Sequence, residues 1–229
     1  MTRPMVTVPQ SLLHQIDLDW RIDWRGQSAG EFNSGVSGTH YAGFPRWVGA
    51  PSFFMNAGEL RKWRAISAHA RGRTSVYRVR MFDPVAFDMD AAGASATVIA
   101  TGKTTTDGNY FTNGKGWEYD PFCLCETAAE KGATTLRVDV ASCNDVAPVE
   151  GQIMSVDLWP FTVTSVLPVG GTVYEIGISM ALRTDVAVGR YIKMRGEGLF
   201  ELIDGTGNPA YNANRFSRPQ MEFVEALAR

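Results

Sequence analysis

The chain has little of what covalent or metal-assisted chemistry usually draws on. Its 229 residues include three cysteines and three histidines. Cys123, Cys125 and Cys143 are an odd number too few for a disulfide framework, and their C-x-C spacing is not the C-x-x-C that brings two thiolates to one zinc. They read as small buried hydrophobes of a chain that folds in a reducing compartment. His14, His40 and His69 are scattered, with no H-E-x-x-H pair and no acidic neighbour at ligand spacing, so no metal or cofactor is expected. Ser37, in Gly35-Val36-Ser37-Gly38, misses the G-x-S-x-G of a nucleophile elbow, and no G-x-x-x-x-G-K-[ST] phosphate loop occurs. Carboxylate pairs such as Asp17/Asp19 and Glu118/Asp120 exist, but a wet strand face produces the same spacing. The expectation is a protein without catalytic residues.

Two further absences narrow the class. No stretch approaches the roughly 20 apolar residues of a membrane span, and MTRPMVTVPQSLLHQIDLDW has no signal-like apolar core, so neither insertion nor export is expected. Lys and Arg number 22 against 24 Asp and Glu, a net charge of −2. That balance excludes a generic phosphate-backbone binder, which needs a marked basic excess.

What is present is a foldable composition, 45% hydrophobic and 11% aromatic, with an uneven distribution of charge. Residues 59–80 carry seven basic and one acidic side chain, whereas 83–160 carry four basic and twelve acidic ones. Ile16, Leu18, Trp20, Ile22 and Trp24 alternate with polar residues, the period of a half-buried strand. GQSAGEFNSGVSGTHYAGFPRW follows without any period, and 26–43 reads as a long glycine-rich loop. Phe44 to Met55 is apolar and strand-like. Asn56-Ala57-Gly58-Glu59 then opens a capping box, and Leu60, Trp63 and Ile66 fall on one face of a helix over about 57–71 that ends at Arg71-Gly72-Arg73.

Tyr77, Val79 and Met81 alternate with Arg78 and Arg80 in a strand that stops at Asp83-Pro84. Residues 85–130 read as an irregular connection rich in Gly, Thr, Asn and Asp. From 131 the pattern is TTLRVDV, GQIMSVDLW, FTVTSV, TVYEIGISM, YIKM and LFELI, with Gly170-Gly171 as a hairpin turn; this suggests a small antiparallel barrel over 131–203. PQMEFVEAL supplies a last strand that can return to the first sheet. The predicted organisation is a β-rich domain of 1–84 plus 204–229, with one helix, and an inserted barrel.

Two clusters are candidates for binding. Arg61, Lys62, Arg64, Arg71, Arg73, Arg78 and Arg80 form a basic run suited to an acidic neighbour, with a solvated helix face as the plain alternative. Trp117-Glu118-Tyr119-Asp120 sets aromatics beside carboxylates, a combination that stacks on and hydrogen-bonds to sugars; its plain alternative is a packing anchor.

Several stretches together are similar to a known family. Arg46-Trp47, then GELRKWRAISAHARGRTSVYRVRMFDP, then FTVTSVLPVGGTVYEIGISMALRTDVAVGRYIKM, and a closing PQMEFVEAL resemble distal tail (baseplate) proteins of long non-contractile-tailed, siphophage-like bacteriophages. The family's helix ending in Arg-Gly-Arg and its strand with terminal Asp-Pro correspond to Arg71-Gly72-Arg73 and Asp83-Pro84. Where the family has paired proline before Leu-Arg, this chain has Met180-Ala181 before Leu182-Arg183.

The resemblance implies a tail-tube-like β-sandwich or split barrel with an inserted small antiparallel β-barrel. It implies a homo-oligomeric ring, hexameric in the family, at the virion tail tip and assembled in the host cytoplasm. Its partners would be the tail tube protein, the baseplate hub and the tail-fibre or receptor-binding proteins, with DNA passing through the lumen without specific binding. Within that role the basic run would be a subunit interface, and the loop 26–43 would order against a neighbour. The competing readings are a carbohydrate-binding β-sandwich module centred on Trp117 and Tyr119, or another tail ring such as a tube or terminator protein.

Overall fold

The computed structural model describes residues 3–9, 12, 15–17, 19–31, 37–40, 44–81, 87–203, 216–219 and 221–228. The fold is mainly β and divides into two compact units, 1–79 with 199–229, and 80–198.

The discontinuous unit begins with β1 (Met5–Thr7), β2 (Gln15–Asp17), β3 (Trp20–Asp23), β4 (Gln27–Glu31), β5 (Ser37–His40), β6 (Arg46–Gly49) and β7 (Ser52–Phe53). The helix α1 (Ala57–Ala70) and β8 (Val76–Arg80) follow, and after the insert come β15 (Glu197–Leu202) and β16 (Phe223–Glu225). The main sheet has six strands in the order β1-β8-β15-β16-β6-β3, with β1 and β8 parallel. β16 joins β15 to β6, so the C-terminal strand does return to the first sheet.

The capping box at α1 is complete. Asn56 Oδ1 accepts from the Gly58 and Glu59 amides at 2.9 and 3.1 Å, and the Asn56 amide donates to Glu59 Oε2 at 2.9 Å. Arg71 takes the left-handed C-cap (φ 52°) and donates its amide to Ser67 O. Leu60, Trp63 and Ala70 are buried while Ile66 is half-buried. Trp63 stacks on Tyr77 with ring centroids 6.1 Å apart. Phe223 gathers Trp20, Tyr77 and Phe200 around it at 6.1–6.4 Å. Trp20 lies across Gly49, its cross-strand partner, where a Cβ would sit 2.5 Å from Trp20 Cε3 and 2.7 Å from the Asp19 carbonyl.

The insert contains α2 (Ala96–Thr101), β9 (Phe122–Cys125), β10 (Thr135–Asp139), β11 (Ile153–Val156), β12 (Trp159–Gly170), β13 (Val173–Ser179) and β14 (Tyr191–Lys193). Its six strands close a barrel in the order β10-β13-β12-β11-β14-β9, every pair antiparallel. Cys123, Val138, Met154, Ile176, Ile192 and Met194 are fully buried within it. Residues 157–158 join β11 to β12 in a two-residue turn with φ of 50° and 65° at Asp157 and Leu158, the conformation that matches strand twist. β12 runs past β11, leaving Leu167 58% and Val169 51% exposed on either side of Pro168. A proline has no N–H to offer an added strand, which blunts that edge.

Several sequence expectations need correction. The nine-residue alternation at 16–24 falls in two strands, β2 and β3, which pair with β7 and β6 respectively in two different sheets. The glycine-rich stretch 26–43 is not one loop: β4 and β5 pair antiparallel within it, glycine having masked the strand period. The connection 85–130 contains a second helix, α2, and a barrel strand, β9. LFELI leaves the barrel and pairs as β15 with β16 in the main sheet. GQIMSVDLW is broken by the Asp157–Leu158 turn. Asp83-Pro84 lies outside the described residues.

Gly49→Ala forces a Cβ against the Trp20 ring and a fixed carbonyl, and overpacking of this kind costs about 1–3 kcal/mol. Urea unfolding should show a lowered midpoint; an unchanged midpoint would mean that Trp20 is not seated on Gly49.

Candidate functional site

Among the described residues no group of three or more His, Cys, Asp and Glu is placed to hold a metal ion. The three cysteines are free and buried. Burial raises their thiols, Cys143 to about 11 and Cys123 well above the ordinary range, so they stay protonated and unreactive at neutral pH. The recess between Met81, Phe87, Met89, Met194 and the polar Gln152 and Arg195 has room for about one water molecule, far below a ligand pocket.

The most organised polar feature is an ion network at the base of the insert. Asp120 precedes Pro121 at the start of β9; Lys193 ends β14; Arg195 and Glu197 follow on the outgoing chain; Arg80 ends β8 on the incoming one. Asp120 Oδ1 accepts from Arg195 Nη2 at 2.8 Å, and its Oδ2 from Lys193 Nζ at 3.2 Å, with Arg80 Nη2 at 3.7 Å. Glu197 Oε2 accepts from Lys193 Nζ at 2.5 Å, with its Oε1 3.9 Å from Arg80 Nε. Glu118 takes the outer side of Arg80 at 2.5 Å. Three cations thus face three carboxylates.

Main-chain bonds set this geometry. The Met81 amide donates to Gly196 O and the Gly196 amide to Ile153 O, both at 2.8 Å, while the Met194 amide donates to Pro121 O at 2.9 Å. Gly196 has no room for a side chain, since a Cβ would stand 2.6 Å from Ile153 Cγ2. The incoming and outgoing chains are therefore bonded to each other and to the barrel.

Arg195 and Glu197 are 5% and 2% exposed, so the network carries a desolvation cost that mutual pairing must offset. Burial alone would raise the Asp120 carboxyl, but Arg195, Arg80 and Lys193 outweigh it and hold the group below the usual carboxylate range. This geometry serves to fix chain segments. Asp120 and Glu197 are each paired to more than one cation, while Glu118 reaches Arg80 from the solvent side.

The basic run does not form one surface. Arg61, Lys62, Arg64 and Arg71 are exposed on and just after α1, with Arg61 Nε donating to the Ala57 carbonyl at 3.3 Å. Arg78 is half-buried in β8, and the side chain of Arg73 lies outside the described residues. Arg80 is withdrawn into the ion network, where acidic side chains of the 83–160 segment neutralise it. Part of the contrast between basic and acidic segments is therefore satisfied inside the chain.

Trp117 and Tyr119 also part company. The Tyr119 hydroxyl donates to Ala92 O at 3.0 Å, and Lys103 Nζ sits 3.4 Å from the ring centroid, a cation over the aromatic face. Tyr119 is a packing anchor. Trp117 is 63% exposed and held edge-on by Phe111 at 5.1 Å and 75°. Sequence reasoning passed over Phe111 and Tyr110 because isolated aromatics in a turn-rich stretch have no period. It passed over the ion network because Arg195 and Asp120 are 75 residues apart. No protein-family model matches the chain, and no curated protein matches it.

Asp120→Asn leaves Arg195 and Lys193 facing a neutral amide, and breaking such a buried pair costs about 3–5 kcal/mol at pH 7. Because the folded carboxyl is depressed, its contribution is present above about pH 4 and is lost as pH falls through the lowered folded value. The stability gap between parent and variant, read from urea midpoints, should narrow below about pH 4. Equal stability at pH 7 would show that the network contributes nothing net.

Proposed function

We propose that this chain is a virion structural protein of a phage tail tip, one subunit of a ring joining the tail tube to the baseplate hub and receptor-binding parts. The observation that carries the reading is the order of the fold. A helix-bearing β unit made from both ends of the chain is interrupted between β8 and β15 by a closed antiparallel barrel. That is the arrangement which the resemblance to distal tail proteins implies. Two features of the inserted unit support a structural role: buried thiols whose burial keeps them protonated, and carboxylates paired to cations that tie chain segments together.

A subunit of a closed ring repeats one heterologous contact and so needs two different complementary surfaces. The exposed cations of α1, Arg61, Lys62 and Arg64 together with Arg71, supply one such surface. Its counterpart on the neighbouring copy is acidic in this account. Hexameric symmetry and the tail partners belong to the same reading and rest on the resemblance.

Arg61→Glu/Arg64→Glu places repulsive charge at that contact, and like charges brought together across an interface cost several kcal/mol (about 2–5). Native mass spectrometry should then show monomer in place of the ring. An unchanged ring would remove α1 from the subunit contact.

A further inference from the structure

We propose that the lobe 103–117 of the inserted unit is a binding site for a neutral oligosaccharide, with Trp117 as the platform on which a pyranose ring stacks. This goes beyond the ring reading and does not depend on it.

The lobe is preorganised. Its base is closed by reciprocal bonds, Lys103 N–H to Trp117 O at 2.8 Å and Trp117 N–H to Lys103 O at 2.7 Å. Beneath them the backbone passes so closely that a Cβ on Gly116 would lie 2.1 Å from the Lys103 carbonyl oxygen, and one on Gly102 2.6 Å from Trp117 O. Gly102 also has φ +85°, a conformation that glycine takes without strain. Two tight turns, closed by Gly108 N–H to Thr105 O at 2.9 Å and Gly114 N–H to Phe111 O at 2.8 Å, complete it. Trp117 is thus fixed by backbone on both sides and by the Phe111 edge, while most of its indole stays in water.

Large aromatics left exposed on a rigid frame mark interaction sites. Tyr110 and Phe111 are 46% and 40% exposed in the same lobe. The surrounding residue types decide the occupant. Between Gly102 and Glu118 there is no Ala, Val, Leu, Ile, Met or Arg; the remaining side chains are Thr, Asn, Asp and Lys. A protein-binding patch is enriched in Met and Arg beside its aromatics. A single-stranded nucleic acid would require a basic groove beside the stacking ring, whereas the lobe has two lysines, Lys103 and Lys115, against one acid, Asp107. Lys103 is already over Tyr119, and Glu118 is paired with Arg80. What remains is an exposed indole in a lobe whose other side chains are mostly Thr and Asn, neutral groups that donate and accept. That chemistry matches a sugar, whose C–H face packs on an aromatic while its hydroxyls bond to amide and hydroxyl side chains of the kind the lobe carries.

The test is a titration of the full chain with cellotetraose, maltotetraose, mannotetraose and the N-acetylglucosamine tetramer, each to about 10 mM, a range matched to millimolar single-site affinity. Tryptophan fluorescence and saturation-transfer NMR report binding. At least one sugar should bind with a dissociation constant of about 1 mM, and Trp117→Ala should weaken it at least about tenfold. Trp117→Tyr, which keeps a ring, should retain binding, as should Leu167→Ser, which removes an exposed side chain elsewhere in the unit. Thermal melting establishes that each variant is folded. Saturation by none of the four sugars, or binding indifferent to Trp117→Ala, overturns the proposal. So does a change in oligomer size on Trp117→Ala without sugar binding, which would make the lobe a subunit contact.

Discussion

An insert can interrupt a sheet between two neighbouring strands only if its chain comes back to where it departed. β8 and β15 are such neighbours, and the whole barrel is strung between them. Loop closure carries an entropic cost that grows with length, though slowly. Here the incoming and outgoing segments are tied by the Met81–Gly196 and Gly196–Ile153 hydrogen bonds. The Arg80, Asp120, Lys193 and Glu197 pairs add to that tie. Main-chain bonding sets the spacing and the ions lock it. Gly196 is where the constraint is tightest, because no larger residue fits against Ile153.

The same network changes how the chain's charge is read. A basic segment followed by an acidic one suggests two outward surfaces waiting for partners. Arg80 shows that some of this complementarity is internal, with its guanidinium between Glu118, Asp120 and Glu197. The exposed cations of the same segment are Arg61, Lys62 and Arg64 on α1 and Arg71 just after it. A smaller, better-defined patch is a more specific candidate for a contact between copies than the whole basic segment.

The parts of the fold governed by local rules were legible in the sequence. The Asn56–Glu59 capping box, the Trp63 face of α1, the Tyr77/Val79/Met81 alternation and the Gly170-Gly171 hairpin all rest on spacing within a few residues. The errors arose where tertiary pairing overrode local pattern. β9 is four residues of FCLC beside a long turn-rich segment, and only its pairing with β10 and β14 makes it the strand that closes the barrel. LFELI looks like one more barrel strand until its pairing with β16 places it in the other sheet. The break at Asp157–Leu158 carries none of the Gly or Asn that marks such a turn. At the candidate sites, adjacency in sequence suggested that Trp117 and Tyr119 act together, yet residues two apart face differently, one outward and one under Lys103.

The central proposal is that the chain is a ring-forming structural subunit with α1 at the contact between copies. Sedimentation velocity on the purified protein across a wide concentration range tests it most directly. The account predicts a closed species of discrete stoichiometry, a whole-number multiple of the 25.1 kDa chain, whose size is stable on dilution and which appears as a ring with a central opening by electron microscopy. A single 25.1 kDa species at every concentration, with no ring in the images, would contradict it.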